Sequence, residues 1–227
     1  LDPLAQGGQG PGVFGGFGHT SLDTEQNRGR ASGDAWHLGG YGGAQWGALG
    51  LRGGASFSRQ SLDTQRSVFF TGVTDSLSAK YTLRTVQAFG ELGWRIDASA
   101  ETAFEPFVNL AYANVRGGGF AERGLGSGAA LTGRGNSTDA TFATLSLRAS
   151  TRTTLAGVDA TLRGSAGWRK LLWGDVTPVA NVGFYGSISP FTVLGTPLAR
   201  EAFVFDAGID LNLRSNLTLG VSYGLQT

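Results

Sequence analysis

The stretch that most constrains the fold runs from Tyr81 to Ile96 and alternates between two kinds of side chain. From Val86 to Ile96 the even-numbered positions are apolar or glycine. The odd-numbered positions carry three polar or charged side chains, Gln87, Glu91 and Arg95, with Phe89 as the exception. Successive residues of a β-strand point to opposite faces. The stretch is therefore predicted to be a strand with one face in an apolar medium and the other in a polar one.

The length of this strand indicates a membrane. Roughly 11 residues or more is about twice the usual strand of a globular protein and suits a tilted strand that crosses a bilayer. The mean hydropathy is only -0.04, because apolar residues are interleaved with polar ones. No apolar run approaches the ~18 residues of a transmembrane helix, so the chain can enter a membrane only as a closed sheet. The predicted fold class is all-β, an antiparallel transmembrane β-barrel that is apolar outside and polar inside.

The same alternation predicts the other strands. They are expected at Val13–Leu22, 36–46, 49–58, Phe104–Val115, Ala140–Thr151, Thr154–Leu171, Thr177–Ile188, Phe203–Leu213 and Leu217–Leu225. Residues 1–12 are expected to form a loop or linker, and Pro190 and Pro197 to interrupt the chain. Long polar connections are predicted at Asp23–Asp34, Gln60–Lys80 and Arg116–Asp139, the last two on the outer surface. Short turns at Gly47 and at Asp97–Glu101 are predicted on the periplasmic side.

The inward faces of these strands supply the candidate functional residues. The side chains predicted to line the lumen are Arg52, Gln87, Glu91, Arg95, Glu105, Asn109, Arg148, Arg163, Arg169, Asp206 and Asp210. The aromatic residues predicted at the lipid interface are Trp36, Trp46, Trp94, Tyr112 and Trp168. Opposed charges along a pore hydrate it and hold the strands in register. Asp206 and Asp210 stand about 13 Å apart on one strand, so ion pairs with arginines are expected rather than a shared proton.

Other functional classes find no support in the residues. Cysteine is absent, which removes disulfides and thiolate metal sites, and neither His19 nor His37 has a second ligand at metal spacing. A GxGxxG pattern at 10–15 has no βαβ unit around it, and a GxSxG pattern at 220–224 lies within an alternating strand without a following His or Asp. A net charge of +1 gives no reason to expect nucleic acid. No catalytic, cofactor or metal site is predicted, and the protein is not expected to be an enzyme.

Several runs of the sequence resemble a known family. They are HLGGYGGAQWGALGLRGGASFSRQSLDTQRSV, AKYTLRTVQAFGELGWRI, EPFVNLAYANV, FAERG, LRGSAGWR and FDAGIDLNLRSNLTLGVSYG. Together they closely resemble the C-terminal translocator domain of bacterial autotransporters, the proteins of type V secretion. The resemblance covers nearly the whole chain and keeps the order of many motifs. It implies a barrel of about a dozen strands in the outer membrane of a Gram-negative bacterium, assisting an N-terminal passenger to the cell surface with a linker threaded through the lumen.

The resemblance also implies partners and differences. The expected partners are the protein's own passenger, outer-membrane lipid and the barrel-assembly machinery. The family has about two strands before anything similar to Val13–Leu22, and a last strand that ends in an aromatic residue, whereas this sequence ends at Thr227. Because the sequence also begins without Met or a signal peptide, residues 1–227 are interpreted as an internal fragment of an exported precursor. By this comparison the fragment holds nine or ten barrel strands and is incomplete at both ends.

Three alternative functions remain open from the residues alone. A small porin-like outer-membrane barrel would have no passenger upstream. A soluble binding barrel of the lipocalin kind would place the apolar face inside and the polar face outside. An outer-membrane enzyme would carry a catalytic cluster at its extracellular rim.

Overall fold

The structure is a computed structural model that describes residues 10–24, 29–70, 73–124, 128–214 and 217–227. Its elements are all strands: β1 Gly12–Asp23, β2 Gly29–Trp46, β3 Leu49–Phe70, β4 Val73–Trp94, β5 Ile96–Asp97, β6 Thr102–Gly117, β7 Phe120–Ala121, β8 Leu131–Gly133, β9 Asn136–Leu155, β10 Val158–Gly174, β11 Val179–Phe184, β12 Phe191–Leu194, β13 Glu201–Arg214 and β14 Leu217–Gln226. Within the described ranges there is no helix of the length and apolarity needed to span a membrane.

The main sheet is antiparallel, with strand order β1-β2-β3-β4-β6-β9-β10-β13-β14 and the short β5 paired to β6. Neighbours in the sheet follow one another along the chain, and short turns join some of them. One such turn places both Ala156 (φ 51°) and Gly157 (φ 82°) in the left-handed region, as a two-residue hairpin turn between twisted strands requires. The expected nine or ten barrel strands are confirmed.

The register sorts the side chains of the main sheet into two faces. One cross-strand row links Arg52, Glu91, Asn109, Thr144 and Arg169. The adjacent row, one residue along each strand, links Leu51, Leu92, Val108, Leu145 and Trp168. Directly opposed residues lie on the same face of a sheet. The sheet therefore has a charged face, which carries the first row, and an apolar face, which carries the second.

Burial of the two faces is the reverse of that in a soluble protein. Glu91 is 8% exposed, whereas its neighbour Leu92 is 45% exposed. The apolar face as a whole presents large hydrophobic side chains to the surroundings. A soluble barrel of the lipocalin kind would show the opposite arrangement, so this alternative is excluded.

The sheet is open in the described part of the chain. β1 pairs only with β2, and β14 pairs only with β13, which makes these two strands its edges. Val13–Leu22 lies in β1 and Leu217–Leu225 in β14, so both predicted strands are edges of the described sheet. That further strands lie beside them remains a prediction.

Two of the predicted polar loops are wrong in extent. Most of Gln60–Lys80 is strand, since β3 and β4 continue as a hairpin to Phe70 and from Val73; residues 71–72 lie outside the described residues. Most of Asp23–Asp34 is strand too, because β2 begins at Gly29; residues 25–28 lie outside the described residues, as do residues 1–9 of the predicted loop. On the outer part of β3, polar side chains lie on both faces, so it lacks the alternation that the prediction used. The outer part of β4 does alternate, with Leu77 and Ala79 buried on either side of Ser78, and the prediction missed it.

A second sheet accounts for two further corrections. Its order is β12-β11-β8-β7. The predicted connection Arg116–Asp139 contains β7, β8 and the start of β9, while the predicted barrel strand Thr177–Ile188 is β11, which belongs to this small sheet. The predicted strand Tyr81–Ile96 is also interrupted at Arg95. β4 ends at Trp94, and β5 pairs separately with β6. Short strands of this kind depend on tertiary pairing rather than on local pattern.

The small sheet packs against the extended hairpin of β3 and β4. The Tyr81 and Phe120 rings lie 5.9 Å apart, and Ser78 pairs with Arg123 in an isolated bridge. The Arg66 Nη2 atom lies 2.7 Å from Glu122 Oε2, and the same carboxylate oxygen accepts the Leu131 N–H at 2.7 Å. This hydrogen-bonded carboxylate raises the pKa of Arg66, so the guanidinium stays charged across the neutral pH range.

Candidate functional site

The charged face lines a half-open cavity of about 430 Å³. Its lining comes from six strands of the main sheet, β4, β6, β9, β10, β13 and β14, and includes Glu91 at one side and Ser222 at the other. On a flat sheet these two residues would stand about 24 Å apart, at roughly 4.8 Å per strand. They share one cavity of this size because the sheet curls with its charged face inside.

A network of four charges lies on this concave wall. Arg52 on β3 donates to Glu91 on β4 at 2.9 Å and also to Glu105 on β6, which it reaches across β4. Arg148 on β9 donates to Glu105 at 2.7 Å and to Glu91 at 3.1 Å. The network therefore ties four successive strands of the sheet together.

The network is largely withdrawn from solvent. Side-chain exposure is 9% for Glu91 and 12% for Glu105, against 21% for Arg52. Because each carboxylate meets both guanidinium groups, the burial of charge is compensated. Removing one partner of a buried ion pair costs about 3–5 kcal/mol, since the other charge is left without compensation.

A glycine makes room for this network. A Cβ built on Gly93 would stand 2.6 Å from Glu105 Oε1 and 3.1 Å from its Cγ. A side chain at this position would displace the Glu105 carboxylate from its two arginines. The absence of a side chain at Gly93 thus leaves the space that the Glu105 carboxylate occupies.

A second ion pair joins β10 and β13. The Arg163 Nε atom donates to Asp210 Oδ2 at 2.9 Å, and the carboxylate of Asp210 is nearly buried. The expected pairing of Asp210 with an arginine is therefore confirmed. For Asp206 the same expectation is wrong, because this residue forms no ion pair with any described residue.

The other predicted lumen residues take different positions. Gln87 lies exposed on the charged face opposite Ser56, and Asn109 lines the cavity. Arg95 stands at the break after β4 and pairs with Asp97 at 2.8 Å. The structure thus brings four of the predicted charges into one network and leaves Arg95, Arg163 and Arg169 outside it. That these residues line a lumen remains a prediction.

The five predicted interface aromatics all belong to the apolar face. The register aligns Trp46 and Trp94 with Leu49, Trp168 with Leu145, and Tyr112 with Ala88. Trp36 packs on Phe57, with ring centroids 5.3 Å apart. Their contact with lipid remains a prediction.

Two aromatic residues of the charged face escaped the sequence analysis. The Arg148 guanidinium lies 4.4 Å from the centroid of the Phe107 ring, and the Arg169 guanidinium 5.2 Å from that of Phe142. Both rings occupy inward positions of strands that the pattern had assigned. Each ring lies on the adjacent strand, two residues along from the residue that pairs with its arginine, and this spacing was the signal that would have found it.

The comparison with known families identifies the chain's class. The model of the autotransporter β-domain matches residues 5–224. The chain belongs to the autotransporter β-domain family. The resemblance stated from the sequence motifs is therefore confirmed.

Relatives and solved structures agree with this membership. Two proteins of Serratia marcescens named extracellular serine protease are 37% identical to the chain, over 217 residues (95% of this chain, 20% of that protein) and 194 residues (85% and 18%). The chain thus spans about a fifth of the length of these relatives. The translocator domain of autotransporter NalP from Neisseria meningitidis shares the fold with a TM-score of 0.64 and 16% identity, covering 98% of this chain and 71% of that one. The β domain of the Bordetella autotransporter BrkA has a TM-score of 0.58 and 20% identity, covering 95% and 76%.

Family membership settles the location and the broad role of this β-domain. Autotransporter β-domains reside in the outer membrane of Gram-negative bacteria and act as translocators in type V secretion, each linked to a passenger. The translocator family is non-enzymatic, and the word protease in the relatives' names describes those longer proteins. Family membership does not support the porin-like alternative, which would have no passenger.

Proposed function

We propose that the charged face of this β-domain is the wall of the channel through which the passenger chain crosses the outer membrane. The observation that carries the proposal is the network of Arg52, Glu91, Glu105 and Arg148 on the concave side of the sheet. A passing polypeptide exposes backbone N–H and C=O groups that need water or polar partners. A wall of paired charges keeps the channel hydrated without offering one strong site that would arrest the chain.

The exposed apolar face of the sheet also supports this proposal, because it suits the outer, lipid-facing side of a channel wall. Leu92, Val108 and Leu145 form a continuous row of exposed apolar side chains, which suits contact with lipid tails. Lipid and the barrel-assembly machinery are the partners we propose for this face and for the strand edges. The passenger itself is the partner of the charged face.

A crosslinking experiment on the full-length protein tests the proposal. Single cysteines are placed at Asn109 on the charged face or at Val108, its neighbour on the apolar face, together with one cysteine in the passenger segment that is in transit. Asn109→Cys is expected to form a disulfide with the passing chain, and Val108→Cys is not. Secretion of the passenger with equal crosslinking at both positions, or with none at either, would reject the charged face as the channel wall.

A further inference from the structure

Arg169 is the one arginine of the cavity wall whose charge is not matched by a described residue. Arg148 is bound to Glu91 and Glu105, and Arg163 is bound to Asp210. Arg169 also lines the cavity, yet within the described ranges it forms neither an ion pair nor a hydrogen bond. Its Nε atom is buried and has no partner there.

The neighbours of Arg169 do not supply an anion. Its cross-strand partners are Thr144 on β9 and Ala202 on β13, and its guanidinium stacks near the Phe142 ring at 5.2 Å. Asp206 lines the same cavity, but it is paired in register with Ser165, four residues along β10 from Arg169. No ion pair joins Asp206 to Arg169 within the described residues.

The partly buried guanidinium of Arg169, whose Nε–H has no acceptor among the described residues, would gain from an acceptor in the cavity. The guanidinium stays protonated in proteins, and a donor withdrawn from water without an acceptor is costly. Its planar fork matches the two oxygens of a carboxylate. The cavity beside it is large enough for such a group and is lined by further donors, among them Ser165, Ser222 and Asn109.

We infer that Arg169 is a docking site for a carboxylate that enters the cavity from outside the described sheet. The inference rests on the proposed function, because the first source of that group is an Asp or Glu side chain of the polypeptide segment that occupies the channel. A small free carboxylate or similar anion from solution is the second source. In both cases the bound group completes the pairing of charges on the channel wall.

The matched control is provided by the next residue. Lys170 lies on the apolar face of the same strand and pairs with Glu201 at 2.9 Å. The full-length protein and its Arg169→Gln and Lys170→Gln variants are inserted into planar bilayers, and opening frequency and reversal potential are recorded in gradients of potassium chloride and potassium acetate. Heat-modifiable migration checks that each variant is folded, and passenger exposure on cells is measured in parallel.

The two sources of the carboxylate give different results. If the channel segment supplies it, Arg169→Gln is expected to raise the frequency of opening several-fold over Lys170→Gln, with unchanged selectivity. If a free anion occupies the site, Arg169→Gln is expected to lower the permeability of acetate and chloride relative to potassium. The frequency of opening is then expected to stay unchanged. Equal behaviour of the two variants in both measurements would overturn the inference.

A second variant keeps the test decisive if Arg169→Gln does not fold. Arg169→Lys retains the charge but lacks the Nε donor and the planar fork, so it is expected to show the same change as Arg169→Gln, only smaller. Behaviour identical to the unmodified protein would count against a docked carboxylate. Equal crosslinking of Asn109→Cys and Val108→Cys would instead reject the charged face as the channel wall. A loss of anion permeability in Arg169→Gln alone would still support a carboxylate site at Arg169.

Discussion

At the scale of single residues, adjacent positions of β4 meet opposite environments. Leu92 is exposed on the apolar face between Leu51 and Val108, while Glu91 is buried between Arg52 and Asn109. A charge is tolerated only where water or a counter-charge can reach it. The two faces of one strand are therefore expected to respond differently to the same substitution.

Leu92→Arg and Gln87→Arg test this difference on one strand. Leu92→Arg is expected to lower the free energy of unfolding in lipid by about 2–4 kcal/mol if the residue lies near the middle of the bilayer. Gln87→Arg places the same side chain on the exposed part of the charged face and is expected to leave stability nearly unchanged. Denaturant titration of both variants in lipid vesicles measures the two values, and equal losses would contradict the assigned orientation of the faces.

Residue-level prediction from the sequence succeeded where alternation decides the outcome. The face of Arg52, Glu105 and Arg148 follows from their parity along each strand. Which acid each arginine meets does not, because Arg52 reaches Glu105 across an intervening strand. Among the described residues, Arg169 and Asp206 form no ion pair, and this too depends on the register between strands.

At the scale of elements, the long connections and the short turns gather at opposite ends of the sheet. The hairpin of β3 and β4 has strands of 22 residues each. A strand of this length extends about 70 Å, far beyond an apolar band of about 25 Å. The tip of this hairpin and the small sheet that packs on it are expected to project from the membrane on the cell-surface side.

Cysteine labelling tests this orientation. Thr74 lies exposed near the tip of the hairpin, and Ala100 lies exposed in the turn before β6. Ala100 is preferred to Ser99, whose hydroxyl accepts the backbone N–H groups of Glu101 and Thr102. In the full-length protein on intact cells, an impermeant maleimide is expected to label Thr74→Cys but not Ala100→Cys, and to label both after the cells are opened. Labelling of Ala100→Cys alone on intact cells would invert the topology.

Element-level prediction was limited by the nature of the pattern. β6, with one apolar and one polar face, was found within two residues of its observed bounds, whereas β4 was found only from Tyr81 onward. The outer part of β3 was assigned to a loop because Leu62 is the single apolar residue among Gln60–Arg66, so the two faces do not differ. The small sheet was missed because strands such as β7 have only two residues and exist through their partners.

At the scale of the whole molecule, the two edges of the open sheet must be paired for it to be stable in a membrane. Strands β1 and β14 each have a single neighbour in the described sheet. The outer row of backbone groups on such an edge has no partner, and hydrocarbon offers none. The solved autotransporter barrels that share the fold are longer, since the chain covers 71% and 76% of them.

The last prediction follows from these edges. Residues 1–227 expressed alone are expected not to form a compact, heat-modifiable species in lipid, because closing β1 directly onto β14 would force a smaller and strained barrel. A longer version that carries further strands beside β1 and β14, including a final strand with a C-terminal Phe, is expected to do so. The measurement compares electrophoretic migration of boiled and unboiled samples of both versions after refolding into the same vesicles. The two versions share the charged network and the apolar face, so a difference between them isolates closure of the sheet as the cause. Heat-modifiable migration of residues 1–227 alone would instead show that β1 and β14 can pair with each other.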